Sequence, residues 1–164
     1  MPPGGVSGVH ELEAWVKKNY SAAGRVALLR IAGETIVSRT LQCFSTERDP
    51  YGTPWRRSMR AEAVNGQTLS QTGRLRRSFS WTTTSPTAVA VGTNLIYAAI
   101  HQHGGVIRAK GAKSLAWKRS GGGWSHAKFV TIPKRPMLPE NGLPPAYEKA
   151  IASAWAAYQS AGVP

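Results

Sequence analysis

From Ala22 to Phe44 the chain repeats apolar residues at three- and four-residue steps, and nowhere else does it hold such a period for so long. Val26, Leu29, Gly33, Ile36, Val37, Thr40, Leu41 and Phe44 fall on one stripe, while Arg30, Glu34, Ser38, Arg39 and Gln42 lie off it. The spacing predicts one long helix that must bury its stripe against other elements. A glycine inside such a helix costs about 1 kcal/mol relative to alanine, so Gly33 is expected to mark a close helix crossing.

The remaining segments are shorter. Upstream, Val9 to Tyr20 reads as a short helix with Ser7 as its N-cap and Trp15 and Val16 on its apolar side, in an N-terminal extension covering 1–21. Downstream, Glu47-Arg-Asp-Pro-Tyr-Gly-Thr-Pro-Trp55 stops the long helix, because Asp-Pro and Tyr-Gly favour turns and Thr53 precedes a proline. Trp55 is expected to pin this loop to the core. Arg56 to Gln71 has no period and reads as an irregular connector. Thr72 to Trp81 alternates Leu75, Phe79 and Trp81 with polar residues, and Ala88 to Gly92 follows a Ser-Pro-Thr turn, so the two are expected to form a hairpin.

Asn94 is the expected cap of a short helix from Leu95 to Gln102 that Gly104 and Gly105 terminate. Val106 to His126 carries six basic residues and a glycine run, and reads as a long mobile loop or extended hairpin arm. Lys128 to Ile132 is a strand closed by Pro133 and Pro136. Pro144-Pro145 opens a last helix with Tyr147, Ile151, Ala154, Trp155 and Tyr158 on one face. The fold class that follows is α+β: a small, largely antiparallel sheet, a long N-terminal helix, a short central helix and a C-terminal helix, in a single domain over 22–164. Trp55, Phe79, Tyr97 and Ile100 are expected to pack the short helix over the hairpin.

Charge narrows the function. The 164 residues carry a formal charge of +13, and no Asp or Glu occurs between Ala63 and Pro139. Metal-free acid–base chemistry draws on carboxylates or on a histidine oriented by one, so this stretch reads as a surface set against something negative. His101 and His103 sit two apart at a helix end, where their directions diverge by about 200°, and no carboxylate or cysteine lies nearby in sequence; metal ligation is disfavoured. A polar contact for His101 and an aromatic-like packing role for His103 are the expected alternatives. No nucleophile elbow, phosphate loop or dinucleotide fingerprint is present, so neither catalysis nor a cofactor is expected. The single Cys43 reads as a small apolar residue. No stretch approaches the ~18 apolar residues of a membrane span. Met1-Pro-Pro-Gly-Gly5 lacks the pattern of a secretory leader, and a soluble protein made and kept in the reduced cytosol is expected.

The cations form two groups. Arg56, Arg57 and Arg60 precede Arg74, Arg76 and Arg77; Arg108, Lys110, Lys113, Lys118 and Arg119 line the arm, with Trp117 and Trp124 among them, and Lys128, Lys134 and Arg135 line its return. Solvated lysines and arginines are the ordinary outcome, but ordinary surfaces mix both signs. The interleaved tryptophans suit either a stacking groove for single strands or anchors in a protein interface. No base-reading motif accompanies them, so any contact with DNA is expected to ignore sequence.

Five motifs occur in a familiar order: Asp49-Pro-Tyr-Gly-Thr-Pro-Trp55, Leu69 to Phe79, Val91-Gly-Thr-Asn94, Tyr97-Ala-Ala-Ile-His-Gln-His-Gly-Gly105 and Ile132-Pro-Lys-Arg-Pro-Met-Leu138. Together, from about Ala22 to Tyr158, they resemble the tailed-phage virion morphogenesis or tail completion family of Mu G-like and P2 tail-completion-like proteins, and more distantly the HK97-type tail component. Trp55, Phe79, Tyr97, His101, Gln102, Gly104, Gly105, Arg135 and Pro136 are the residues of these motifs given structural roles. The departures are His103 in place of a large aromatic, Lys134 and Met137 around Arg135-Pro136, and an unusually long basic arm. The resemblance implies a non-enzymatic subunit of the virion neck, built in the host cytoplasm. It would form a homo-oligomeric ring, sixfold or alternatively twelvefold, around the DNA channel. Its neighbours would be tail-tube and head-connector proteins, with no membrane. A head-side stopper, or a basic nucleic-acid-binding accessory protein, are the alternatives.

Overall fold

The computed structural model describes residues 21–119 and 122–161, so the short helix expected over Val9 to Tyr20, with its Ser7 cap, lies outside the described residues. Elements follow in the order α1 (Ala22–Thr46), α2 (Met59–Ala63), α3 (Arg74–Arg77), β1 (Ser80–Ser85), β2 (Ala88–Gly92), α4 (Ala98–His103), β3 (Gly105–Arg108), β4 (Leu115–Lys118), β5 (Trp124–Ala127), β6 (Phe129–Ile132) and α5 (Pro145–Ser160). This is an α+β chain with long helices near its two ends. The strands pair as three two-stranded ribbons, β1–β2, β3–β6 and β4–β5, instead of joining one small sheet. The described residues cluster into two compact units, one holding 21–37, 81–91 and 145–161 and the other 38–80, 92–119 and 122–144.

In the first unit, Ser21 caps α1, its Oγ accepting the Gly24 N–H at 3.0 Å. Gly33 does mark a close approach, but the neighbour is a strand residue and not a helix. A Cβ placed there would stand 2.6 Å from the indole of Trp81 on β1, a distance no side chain tolerates. The β1–β2 ribbon turns tightly at Pro86-Thr87, where the Thr87 N–H donates to the Ser85 Oγ at 3.2 Å. On α5, Tyr147 is buried, and the rings of Trp155 and Tyr158 stack at 5.4 Å.

The second unit holds the larger core. Cys43 and Phe44 from the end of α1, Trp55, Leu75, Phe79, Ala98 and Met137 form one buried cluster, with Leu69, Leu95 and Leu138 against it. Phe44 is central. Trp55 meets it edge-on at 5.5 Å and Phe79 lies tilted at 5.9 Å, arrangements that favour aromatic pairs beyond simple burial.

Several local expectations change. Arg74–Arg77 is a helical turn entered through Gly73 at φ 69°, so the first strand begins only at Ser80, at the end of the Thr72 to Trp81 stretch. Leu75 and Phe79 are four apart, a spacing that serves a helical turn as well as an alternating strand. Asn94 caps nothing: Thr93 Oγ1 accepts the Leu95 N–H at 3.2 Å and α4 starts later, at Ala98 after Tyr97. The connector contains one ordered turn, α2, capped by Ser58, whose Oγ accepts the Ala61 N–H at 3.2 Å. The arm's first residues belong to β3, which pairs with β6, and Leu115–Lys118 with Trp124–Ala127 make the hairpin.

Candidate functional site

The best-built feature of the second unit is an interlock between α4 and the extended segment after β6. Gly104 ends α4 at φ 72°, and a Cβ there would lie 2.9 Å from the Lys134 backbone nitrogen. Only glycine lets the two backbones come so near. The His101 carbonyl then accepts the Arg135 N–H at 2.7 Å. One residue on, the Gln102 amide works with both ends: its oxygen accepts the N–H groups of Met137 at 2.8 Å and Leu138 at 3.1 Å, while its nitrogen donates to the Leu138 carbonyl at 2.8 Å. Pro136 completes the lock through its carbonyl, which accepts the Trp55 indole N–H at 2.9 Å. Thus the His-Gln-x-Gly-Gly and Pro-x-Arg-Pro-Met-Leu motifs, some thirty residues apart in sequence, read as one joint.

Two partners in this joint escaped the sequence reading. Glu140 takes Lys134 Nζ at 2.5 Å, the His103 ring at 3.3 Å and the Gln102 amide at 3.1 Å. The Lys134 hydrogen bond, followed by Gln102 and the charges around it, holds the Glu140 carboxyl below the usual carboxylate range despite slight desolvation. Its position, directly after the acid-free stretch, was the signal. Tyr51 is the other: its hydroxyl accepts the N–H groups of Glu140 and Asn141 at 3.2 and 2.9 Å and donates to the Gly142 carbonyl at 3.1 Å. Tyr51 is held in its turn by Asp49, whose Oδ1 accepts the N–H of Tyr51 and of Thr53. His103 therefore meets a carboxylate at the surface, its side chain 68% exposed, instead of packing as a large aromatic would. Tyr97 is 43% exposed and meets His101 edge-on, so it does not sit in the core beside Trp55 and Phe79.

Arg135 is 4% exposed, with Nε donating to the Arg56 carbonyl at 2.7 Å and Nη2 reaching the Arg57 carbonyl at 3.4 Å. Burial lowers its pKa, and Arg56 adds like-charge repulsion. His101 is pushed below its ordinary value by burial and then by Arg135, which favours the neutral ring.

The candidate contact residues do not form one surface. Arg74, Arg76 and Arg77 share a single helical turn, so consecutive side chains point about 100° apart; Arg77 is tied back to the Thr72 carbonyl at 3.0 Å. Arg108 stands opposite Phe129 across β3–β6, its guanidinium 5.4 Å from the ring centre. Lys110 and Lys113 lie between β3 and β4, Lys118 on β4 and Arg119 at the hairpin turn. Pairing of Trp117 with Ser125 and of Lys118 with Trp124 sets the two tryptophans on opposite faces of the hairpin. Trp117 shares the half-buried face with Leu115 and Ala127; Trp124, 62% exposed, shares the open face with Lys118 and His126.

Such an α+β chain, with its motif residues joined to one another and Arg108, Trp117, Trp124 and Phe129 at its surface, has the character of an assembly subunit. The family model described as the phage virion morphogenesis family matches residues 9–159. The chain belongs to that family, and its role lies in building the phage virion. No curated protein and no solved structure matches it. No helix among the described residues is long and apolar enough to cross a membrane.

Proposed function

We propose that this chain is a structural, non-catalytic subunit of the phage neck, one that completes the tail as a homo-oligomeric ring of six around the DNA channel and joins it to the head. The observation that carries this is the outward face of the β3–β6 ribbon. Register places Val106 opposite Thr131 and Arg108 opposite Phe129 on one face, with Phe129 53% exposed. Ile107, Val130 and Ile132 take the other face. An apolar and cationic face in a stretch without acids is suited to burial against a neighbouring subunit, and a heterologous contact that closes on itself makes a ring.

A nucleic-acid-binding accessory protein would need Trp117 and Trp124 on one stacking platform, and they lie on opposite faces. DNA then passes the ring without sequence reading, and the tail-tube and head-connector proteins are the neighbours. Native mass measurement of the purified subunit tests the assembly. A hexamer is expected, a dodecamer would place the ring on the head side, and a chain that stays monomeric at all concentrations and in particle extracts would overturn the reading.

A further inference from the structure

Unbalanced charge collects in a groove of about 680 Å³ in the second unit, between the Arg56–Thr72 connector, α4 and β6. Arg56, Arg57, Arg60 and Arg135 line it, against the single carboxylate of Glu62. Arg57 and Arg60 are partly accounted for: they donate to the carbonyls of Ala61, Gly66 and Gln67, and feel the charge of Glu47. Arg135 is different. It is buried, its two hydrogen bonds go to neutral carbonyls, and the charge acting on it is the like charge of Arg56. Buried charges are normally neutralised by a partner, and no described ion pair includes Arg135. A second unmet need adjoins it: the Nδ1 atom of His101, which lines the same groove, is buried without a hydrogen-bond partner among the described residues.

Beside the polar side chains of Ser58, Gln71, Thr72 and Thr131, the groove has an apolar wall. Met59 is 80% exposed on α2, and Leu69, Leu75, Tyr97 and Ile132 continue the wall. A nucleic-acid backbone would satisfy the arginines but brings nothing to cover this wall. A peptide brings both kinds of group at once, as interface anchors do.

We propose that this groove docks an acidic peptide segment of another virion protein, with a carboxylate against Arg56 and Arg135 and an adjacent apolar side chain against Met59 and Tyr97. The docking rests on membership of a virion-assembly family and not on the position in the neck. It is read on the isolated subunit, so its failure and that of the neck reading are separate results.

The test is fluorescence anisotropy of a short labelled peptide with an Asp-Phe-Asp-Leu core. Its controls carry Lys-Phe-Lys-Leu or Asp-Ser-Asp-Ser, and a short DNA duplex serves as competitor. The acidic apolar peptide is expected to bind at least about tenfold more tightly than either control, one decade in Kd. Arg56→Glu and Met59→Ser, both at exposed positions, are each expected to weaken it, the former by about tenfold or more for a lost charge pair. Arg135 is left intact because its bonds hold the connector. Equal binding of the controls, indifference to Arg56→Glu, or displacement by duplex at matched concentration would each overturn the proposal, the last by making the groove a phosphate site.

Discussion

Replacing Gln102 by methionine keeps the side chain's length and removes its polarity. Three backbone groups then lose their partner: the N–H of Met137, the N–H of Leu138 and the carbonyl of Leu138. A neutral hydrogen bond contributes about 0.5–1.5 kcal/mol net, and a buried group left orphaned costs about 1–3 kcal/mol. Gln102 is only half-buried, so water recovers part of the loss, and its exposed contact with Glu140 is left out of the sum. A destabilisation of about 2–4 kcal/mol follows, a large share of the ~5–15 kcal/mol available to a domain. Urea unfolding followed by tryptophan fluorescence reads it: with a slope of about 2 kcal/mol per molar, the middle of the usual range, the midpoint should fall by about 1–2 M at unchanged slope. Gln102→Glu keeps the acceptor for both N–H groups but loses the donor and sets a second carboxylate beside Glu140, so it should fall between wild type and Gln102→Met near neutral pH. A loss below about 0.5 kcal/mol for Gln102→Met would show that the joint does not hold the segment after β6, because even one net hydrogen bond exceeds that.

Three further outcomes are expected. Gly33→Ala gains up to about 1 kcal/mol of helix propensity but drives a methyl group into the Trp81 ring, and overpacking costs about 1–3 kcal/mol, so the variant should be less stable; a stabilised variant would refute the close approach. His101, held below its ordinary value of 6.5 by burial and by Arg135, accepts a proton more readily in the unfolded chain. The stability it contributes is therefore complete above that pH and falls on acidification through it. The urea midpoint should drop more in wild type than in His101→Gln between neutral and mildly acidic pH, and equal drops would contradict this. The arm from Val106 to His126 should exchange its amide hydrogens faster in the free subunit than in the proposed ring, because the β4–β5 hairpin is a lone two-stranded ribbon; strong protection in the free chain would count against it.

What was legible in the sequence was what local chemistry decides. The apolar stripe located α1 to within two residues of its end at Thr46, because helical spacing and the Asp49-Pro50 stop act over a few residues. Asp49 organises the following turn as an Asp-Pro-x-Gly pattern should. Misreadings arose where one pattern fits two structures. Leu75 and Phe79 suit a strand or a helical turn, and only the left-handed Gly73 selects the turn. The joint was visible only as two motifs, since nothing local says that the Gln102 amide meets a backbone at Met137. Glu140 and Tyr51 were missed for a similar reason: apart from Lys134, six residues before Glu140, the partners that place them in the joint lie about 37 to 91 residues away, and spacing carries no signal at that range.

The central claim is tested most directly by imaging the purified infectious particle with the subunit labelled. The account predicts a ring of six copies where the tail meets the head, with the β3–β6 face buried between neighbours. Particles that lack the chain, or that carry it away from the head–tail junction, would contradict it.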